Sequence, residues 1–527
     1  MPDTPPAGAA GVQADPAADA AAAMRLAVIV SLGGFVFGYD VVVMSGVTGA
    51  VTARFGLSEW QTGWMVGVPT LTAMFASLGA GVLSDRFGRR TMLRVVAALY
   101  VVSSTMSAFA DGFYGLVLAR AVAGLALSSL VLAPIYLAEI SPAAIRGRIV
   151  SMNQLAIALG FSAAYFSNFG LQALGQSELG WVSAIGLDLE TWRWMLGAGL
   201  LPAVSWLVVL LTLTPESPRW LALKGRAQEA RAALARLHGP GRVEAVLARV
   251  TGQAEAPPRA GAAALLLSRP VRLALALGLV VACAQQITGV NAIYFYAPIV
   301  FEQTGVGVDA ALLNASLMGV VNVAFTVLAM VLVDRVGRKP LLLIGLAGVA
   351  VSTLLVAFAF SQAHYVLTPE AIGLAGPEVQ KLDLSAVHGV VFSSDVSFKT
   401  ALTETLGVEA FRQHQSELLR AGTRMNAGLI LFGILLFVAS FAVSLGPVTW
   451  VFLSEIFPGE VRGAAIGLVA LINGFVSFLV QLLFPVELAQ LGVATTFAIY
   501  GVIAALFFIA IAALVPETRG RQLEASE

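Results

Sequence analysis

Asp40 stands inside an apolar run that extends from Met24 to Val51, where a carboxylate costs a few kcal/mol unless it is paired or protonated. Arg120, at the start of a later apolar run, is the first-half cation best placed to meet it. Burial disfavours the Asp40 charge and a nearby guanidinium favours it, so a motion that parts the two promotes protonation. The alternative is a fixed ion pair that orders helix packing. A second group of polar residues comprises Gln285, Gln286 and Asn291, within two helical turns. Amides donate and accept hydrogen bonds at once, which suits a neutral solute covered in hydroxyls. They also bridge packed membrane helices. Here Gly289 and the neighbouring Tyr294, Phe295 and Tyr296 point to a bendable, aromatic-gated segment that contacts a ligand.

Such groups need elements that hold them within a bilayer. Of the 527 residues 58% are hydrophobic and 12% charged, against roughly 25% charged in soluble domains. Apolar runs long enough to cross fall near 25–51, 61–83, 91–110, 113–138, 149–169 and 192–213, then near 271–301, 310–333, 341–360, 425–453, 463–487 and 492–515. The pattern predicts an all-α membrane protein of twelve transmembrane helices in two pseudo-symmetric six-helix bundles, 24–213 and 271–515. Residues 1–23 read as a disordered tail without the basic start of a secretory signal, and 516–527 as a second tail. The linker 214–270 reads as short amphipathic helices in water or at the membrane surface.

Net charge is zero, so no overall field recruits nucleic acid. The one cysteine, Cys283, excludes an intramolecular disulfide and a thiolate metal cluster. Three of the four histidines, His364, His388 and His414, fall in 361–423 without ligand spacing. No metal or cofactor is expected, and that stretch reads as a solvated extracellular or periplasmic loop. Lys and Arg gather in one set of short loops, which places both termini and the linker in the cytoplasm of a multi-pass cell-membrane protein.

The halves repeat one another. Asp85-Arg86-Phe87-Gly88-Arg89-Arg90 returns as Asp334-Arg335-Val336-Gly337-Arg338-Lys339, Glu139 with Arg146 returns as Glu455 with Arg462, and Pro215-Glu216-Ser217 returns as Pro516-Glu517-Thr518. The spacing between partners lengthens across 361–423, marking that stretch as an addition to the second half. The duplicated acids and bases read as latches whose bridges form when the cytoplasmic side closes.

With Phe37-Gly38-Tyr39-Asp40, Pro215-Glu216-Ser217-Pro218-Arg219-Trp220, Gln285-Gln286-Ile287-Thr288-Gly289-Val290-Asn291 and Gly446-Pro447-Val448-Thr449-Trp450, residues 25–520 resemble the sugar porters of the major facilitator superfamily, and within them bacterial sugar–proton symporters of the xylose type. The resemblance implies alternating access by a monomer in the bilayer, with sugar and proton as partners. It implies that Asp40 and Arg120 couple the proton, and that Gln154, Gln285, Gln286, Asn291, Asn322, Trp450 and Asn473 contact the sugar. Gly474, Phe161 and Phe295 depart from the glucose and xylose pattern, which leaves another hexose, a ketose or a polyol open. Uniport and sugar sensing without transport are the rival readings.

Overall fold

The computed structural model describes residues 16–141, 146–238, 243–244, 247, 268–373, 375–459 and 461–519. The first half contains α1 (Pro16–Phe55), α2 (Glu59–Phe87), α3 (Arg89–Ala108), α4 (Phe113–Ala126), α5 (Ser129–Ile140), α6 (Arg146–Gly175), the short α7 (Gly180–Ala184), α8 (Thr191–Ala198) and α9 (Leu200–Thr212). The linker carries α10 (Pro218–Leu223) and α11 (Ala227–His238). The second half opens with α12 (Arg269–Ile287), α13 (Val290–Glu302), α14 (Val308–Val336) and α15 (Arg338–Ser361). After the insertion it closes with three further helices, given below. Apolar helices satisfy their own backbone groups, which is what a lipid environment demands.

Among the described residues, ten helical segments are long and apolar enough to cross a membrane, where the sequence pattern predicted twelve. The difference lies in two places. The last helix, Arg462–Leu514, runs 53 residues and turns at Gly492, whose φ of 76° is not helical. A straight helix of that length measures ~80 Å, more than two hydrocarbon cores. The helix Arg146–Gly175 is 30 residues long, and polar residues such as Asn153, Gln154 and Asn168 dilute its apolar character. At the other end, α1 begins at Pro16, inside the stretch expected to be a tail. Proline fits a first helical turn and the alanines behind it favour helix.

The insertion is a folded unit rather than a solvated loop. Strands β1 (His364–Tyr365) and β2 (Thr423–Arg424) pair antiparallel at its base. Between them lie α16 (Pro369–Gly373), α17 (Pro377–Gln380), α18 (Asp395–Leu406) and α19 (Val408–Gly422). Tyr365, Leu367, Val379, Phe398 and Leu418 bury one another, with Tyr365 stacked on Phe398 at 5.5 Å. The sequence reading missed this because its apolar residues lie on short helices that end within three or four turns.

The remaining helices are α20 (Ala427–Val443), α21 (Leu445–Ile456) and α22 (Arg462–Leu514). Several crossings are broken near mid-depth: α4 from α5 at Leu127 and Ser128, α12 from α13 at Thr288 and Gly289, α20 from α21 at Ser444. Gly289 has a left-handed φ of 89°, and a Cβ there would meet the Tyr500 ring at 3.1 Å, so both backbone and space require glycine. Backbone freed at such breaks is tolerated only where protein or a cavity receives it.

At the face carrying the basic loops, the duplicated motifs build the same brace twice. Glu216 accepts hydrogen bonds from the backbone N–H of Arg90 (2.9 Å) and Ser217 (2.9 Å). Glu517 accepts from Arg338 (3.1 Å), Lys339 (3.0 Å) and Arg519 (2.8 Å). Each carboxylate therefore sits at the N-terminus of a helix, α3 or α15, where unpaired N–H groups and the helix dipole favour negative charge. Gly88 (φ 100°) and Gly337 (φ 102°) let it approach: a Cβ would stand 2.5 Å from Glu216 and 2.8 Å from Glu517.

Candidate functional site

Asp40 on α1 and Arg120 on α4 meet as the sequence reading expected, 7% and 2% exposed. One guanidinium nitrogen, Nη1, donates to both carboxylate oxygens at 3.2 and 3.3 Å, while Nη2 reaches the Asp40 carbonyl at 3.4 Å. Among the described residues Arg120 Nε is buried without a hydrogen-bond partner. These contacts exceed the roughly 2.7–2.9 Å of strong charge-assisted bonds and lack the two-pronged fork of the tightest pairs. The pair is joined but under-satisfied.

The amides converge in the second half. Gln285 Nε2 donates to the carbonyl of Leu445 at 2.8 Å, taking up backbone freed where α20 breaks from α21. Its Oε1 accepts from Asn473 Nδ2 at 3.0 Å, and Asn473 Nδ2 also donates to the Ala282 carbonyl at 2.9 Å. Gln286 Nε2 donates to Asn473 Oδ1 at 3.0 Å. Asn291 Nδ2 donates to Gln286 Oε1 and to Ser477 Oγ, each at 2.6 Å. Asn322 accepts from Tyr294 OH, on the same helix as Asn291, at 3.0 Å. The amides bond chiefly to one another, which keeps these buried polar groups satisfied.

Four of the seven expected solute contacts are thus joined in one network, Asn322 is tied to Tyr294, and two stand apart. Gln154 is exposed on α6, and Trp450 on α21 is 43% exposed; neither makes a side-chain hydrogen bond in the described structure. Of the departures from the glucose and xylose pattern, Gly474 faces the Met74 side chain, Cβ and Cγ both 3.7 Å from where its own Cβ would stand. Phe161 meets Tyr294 edge to face at 5.4 Å, and Phe295 is buried.

Sequence reasoning missed Ser477 and Gln481. They follow Asn473 at intervals of four residues, so one face of α22 carries all three, and that periodicity was the available signal. Gln481 Nε2 donates to Ser477 Oγ at 3.0 Å and to Thr70 Oγ1 on α2 at 3.0 Å, and the Thr70 hydroxyl donates to Gln481 Oε1 at 3.1 Å. No sequence signal marks Thr70.

The halves meet away from the basic face. Tyr165 OH donates to the Tyr294 carbonyl at 2.7 Å, Gln176 Nε2 to Asp309 Oδ1 at 2.9 Å and Arg412 Nη1 of the insertion to the Gly56 carbonyl at 3.4 Å. Gly63 packs on the Leu482 carbonyl too closely to admit a Cβ, and Gly319 does the same against Ser162. Toward the basic face, no hydrogen bond among the described residues joins one bundle to the other.

The charged network behaves differently from the expected latch. Arg89 clasps Glu139 through Nε and Nη2 at 3.1–3.3 Å and pairs with Asp85 at 2.6 Å; Ser217 Oγ donates to Glu139 at 2.6 Å. Arg338 clasps Glu455 at 2.7–3.1 Å, and Thr518 donates to Glu455 at 2.5 Å. These bridges close within one half and are made while the opposite face is sealed. Arg86 and Arg335 are exposed, the latter giving its carbonyl to Arg519, and Arg462 Nε donates to the Phe457 carbonyl. The side chains of Arg146 and Asp334 lie outside the described residues.

A profile described as sugar (and other) transporter matches residues 26–373 and 405–527, most of the chain. The chain belongs to the sugar porter family of the major facilitator superfamily. Residues 374–404, in the insertion, fall outside the family match. Among relatives, the arabinose–proton symporter of Bacillus subtilis is 32% identical over 498 residues, covering 94% of this chain and 92% of that protein. The D-xylose–proton symporter of Escherichia coli K12 is 29% identical, covering 95% and 94%. The E. coli xylose transporter, solved in a partially occluded inward-open conformation, superposes with a TM-score of 0.71 at 27% identity, covering 95% of this chain and all of that one. Family members and relatives are transporters, and this sugar porter has their all-helical, multi-pass fold.

Proposed function

We propose that the protein moves a monosaccharide or related polyol across the cell membrane together with a proton, by alternating access of a single chain whose termini are cytoplasmic. The observation that carries the reading is the pairing of two unlike sites: a buried, under-satisfied Asp40–Arg120 contact in one half and a self-paired amide cluster in the other. Solute hydroxyls replace the amide–amide bonds of Gln285, Gln286, Asn291 and Asn473, with Asn322 held by Tyr294, and Gln154 and Trp450 completing the site from the basic side. Protonation of Asp40 releases Arg120 and lets the half repack. The Asp85, Arg89, Glu139, Glu216 set and its Arg338, Glu455, Glu517 counterpart keep each half rigid as it moves. The proton-coupled transport stated in the names of the arabinose and xylose relatives supports the same reading. Gly474 beside Met74 favours a wider pocket than a tryptophan at that position would leave.

Proteoliposomes containing the purified chain and an internal pH dye test this. Acidification of the lumen in step with sugar entry is expected. Sugar entry with no accompanying proton would replace symport by uniport, and sugar binding without entry would point to a sensor.

A further inference from the structure

The amide cluster does not end at the pocket. Asn291 donates to Ser477 Oγ at 2.6 Å, Gln481 donates to the same oxygen at 3.0 Å, and the Gln481 carboxamide exchanges two hydrogen bonds with Thr70, at 3.0 and 3.1 Å. Thr70 belongs to the other half and lies on the α2 face that also presents Gly63 to the Leu482 carbonyl and Gly67 to Phe478. The Gln481 backbone carbonyl is held as well, by Tyr296 OH of α13 at 2.9 Å. One unbroken path of side-chain hydrogen bonds therefore runs from the solute-facing amides to the seam that seals the molecule opposite its basic face. Ser477 Oγ accepts from two amides at once, so its hydroxyl is held in place until one donor leaves.

From this we infer that Ser477 and Gln481 are positioning residues that report pocket occupancy to Thr70, and that the Gln481–Thr70 contact is a latch which a bound sugar loosens. The inference rests on the amide cluster being the sugar site. A sugar hydroxyl that captures the Asn291 amide frees the Ser477 hydroxyl to turn and donate to the Gln481 amide oxygen, and the Thr70 hydroxyl is displaced from that acceptor. The seam then opens toward the side from which the solute enters.

Val66, on α2 between Gly63 and Gly67 and 1% exposed, serves as reporter. The full chain carrying Val66→Cys in a Cys283→Ser background is labelled in detergent micelles with a polar maleimide, with and without D-xylose, L-arabinose and D-glucose. Binding of each sugar is measured separately by calorimetry. Thr70→Val, which keeps the side-chain shape and removes the hydroxyl, is expected to raise sugar-free labelling about threefold to tenfold, the factor corresponding to one hydrogen bond. Gln481→Leu should do the same, the double variant should add nothing to either, and Thr70→Ser should label as the parent. Thr72→Val is the control, since Thr72 bonds only to carbonyls of its own half. A sugar that binds the parent should accelerate labelling there and have little further effect in Thr70→Val. Unchanged sugar-free labelling in Thr70→Val removes the latch. A bound sugar that leaves parental labelling unaltered, or acts equally on both forms, removes the relay. If none of the three sugars, nor D-galactose, D-fructose or inositol added to the panel, binds the parent while Thr70→Val still accelerates labelling, the sugar-site reading fails and takes the relay with it, leaving only the seam contact.

Discussion

The two halves share their braces and differ in their chemistry. Glu216 over Gly88 and Glu517 over Gly337 are the same device, and Arg89–Glu139 and Arg338–Glu455 are the same clasp. The offset that carries Asp85 onto Asp334 carries Asp40 onto Gly289, so one half places a charge where the other places a break in its helix. The offset that carries Glu139 onto Glu455 carries Tyr165 onto Gln481, and both residues bond across to the opposite half. Equivalent positions thus keep their mechanical duty while the polar groups are divided, a buried ion pair in one bundle and an amide cluster in the other, which the proposed function reads as proton site and solute site.

That division breaks most sharply at Asp40. Asp40→Asn is expected to abolish accumulation of sugar against a gradient while counterflow exchange persists; concentrative uptake by this variant would show that coupling lies elsewhere. Arg120→Ala leaves a buried carboxyl without its counter-charge and should lower stability by about 3 kcal/mol, read as an earlier thermal unfolding in detergent. Pairing it with Asp40→Asn should restore most of that loss, and no recovery would mean that packing rather than charge is at stake. On the other side of the division, Asn473→Ala removes two donor contacts and one acceptor of the amide cluster and should weaken sugar binding about tenfold to hundredfold. A shift in the pH dependence of uptake with unaltered affinity would contradict the assignment of proton and solute to separate halves.

Two smaller effects refine the comparison. Gly289→Ala adds a Cβ at a left-handed φ against the Tyr500 ring and should cost about 1–2 kcal/mol, seen as slower turnover with binding less affected; equal turnover would free the α12–α13 break from any part in the cycle. The least effect comes from Glu517. Burial pushes its carboxyl up, but backbone N–H donors from Arg519, Arg338, Lys339 and Thr518 outweigh that and hold it below the usual carboxylate range. A depressed folded value contributes stability above the unfolded value, and the contribution is lost as pH falls through the folded one. Thermal stability should therefore decline less between neutral and strongly acid pH in Glu517→Gln than in the parent, and parallel curves would deny the cap a role.

Much of this arrangement was legible in the residues because lipid and duplication both leave patterns. Apolar length located the helices, the repeated Asp-Arg-x-Gly-Arg loops located the braces, and an acid in the middle of an apolar run located the charged pair. Legibility failed where partners come from distant elements or where one period hides another. Thr70 meets Gln481 across 411 positions of chain, and nothing local marks that contact. The insertion hid its core because its apolar residues are spread over short helices. The clasps were legible as pairs, yet whether a pair closes within a bundle or between bundles depends on tertiary placement that charge pattern does not encode.

The capped starts of α3 and α15 have a mechanical consequence. A carboxylate riveted to the first turn of a helix stiffens the lever to which that helix belongs, and the molecule has one such rivet on each arm. With one such cap on each half, the start of a helix at the basic face is tied to the chain segment that leaves the bundle, so neither can shift there without the other.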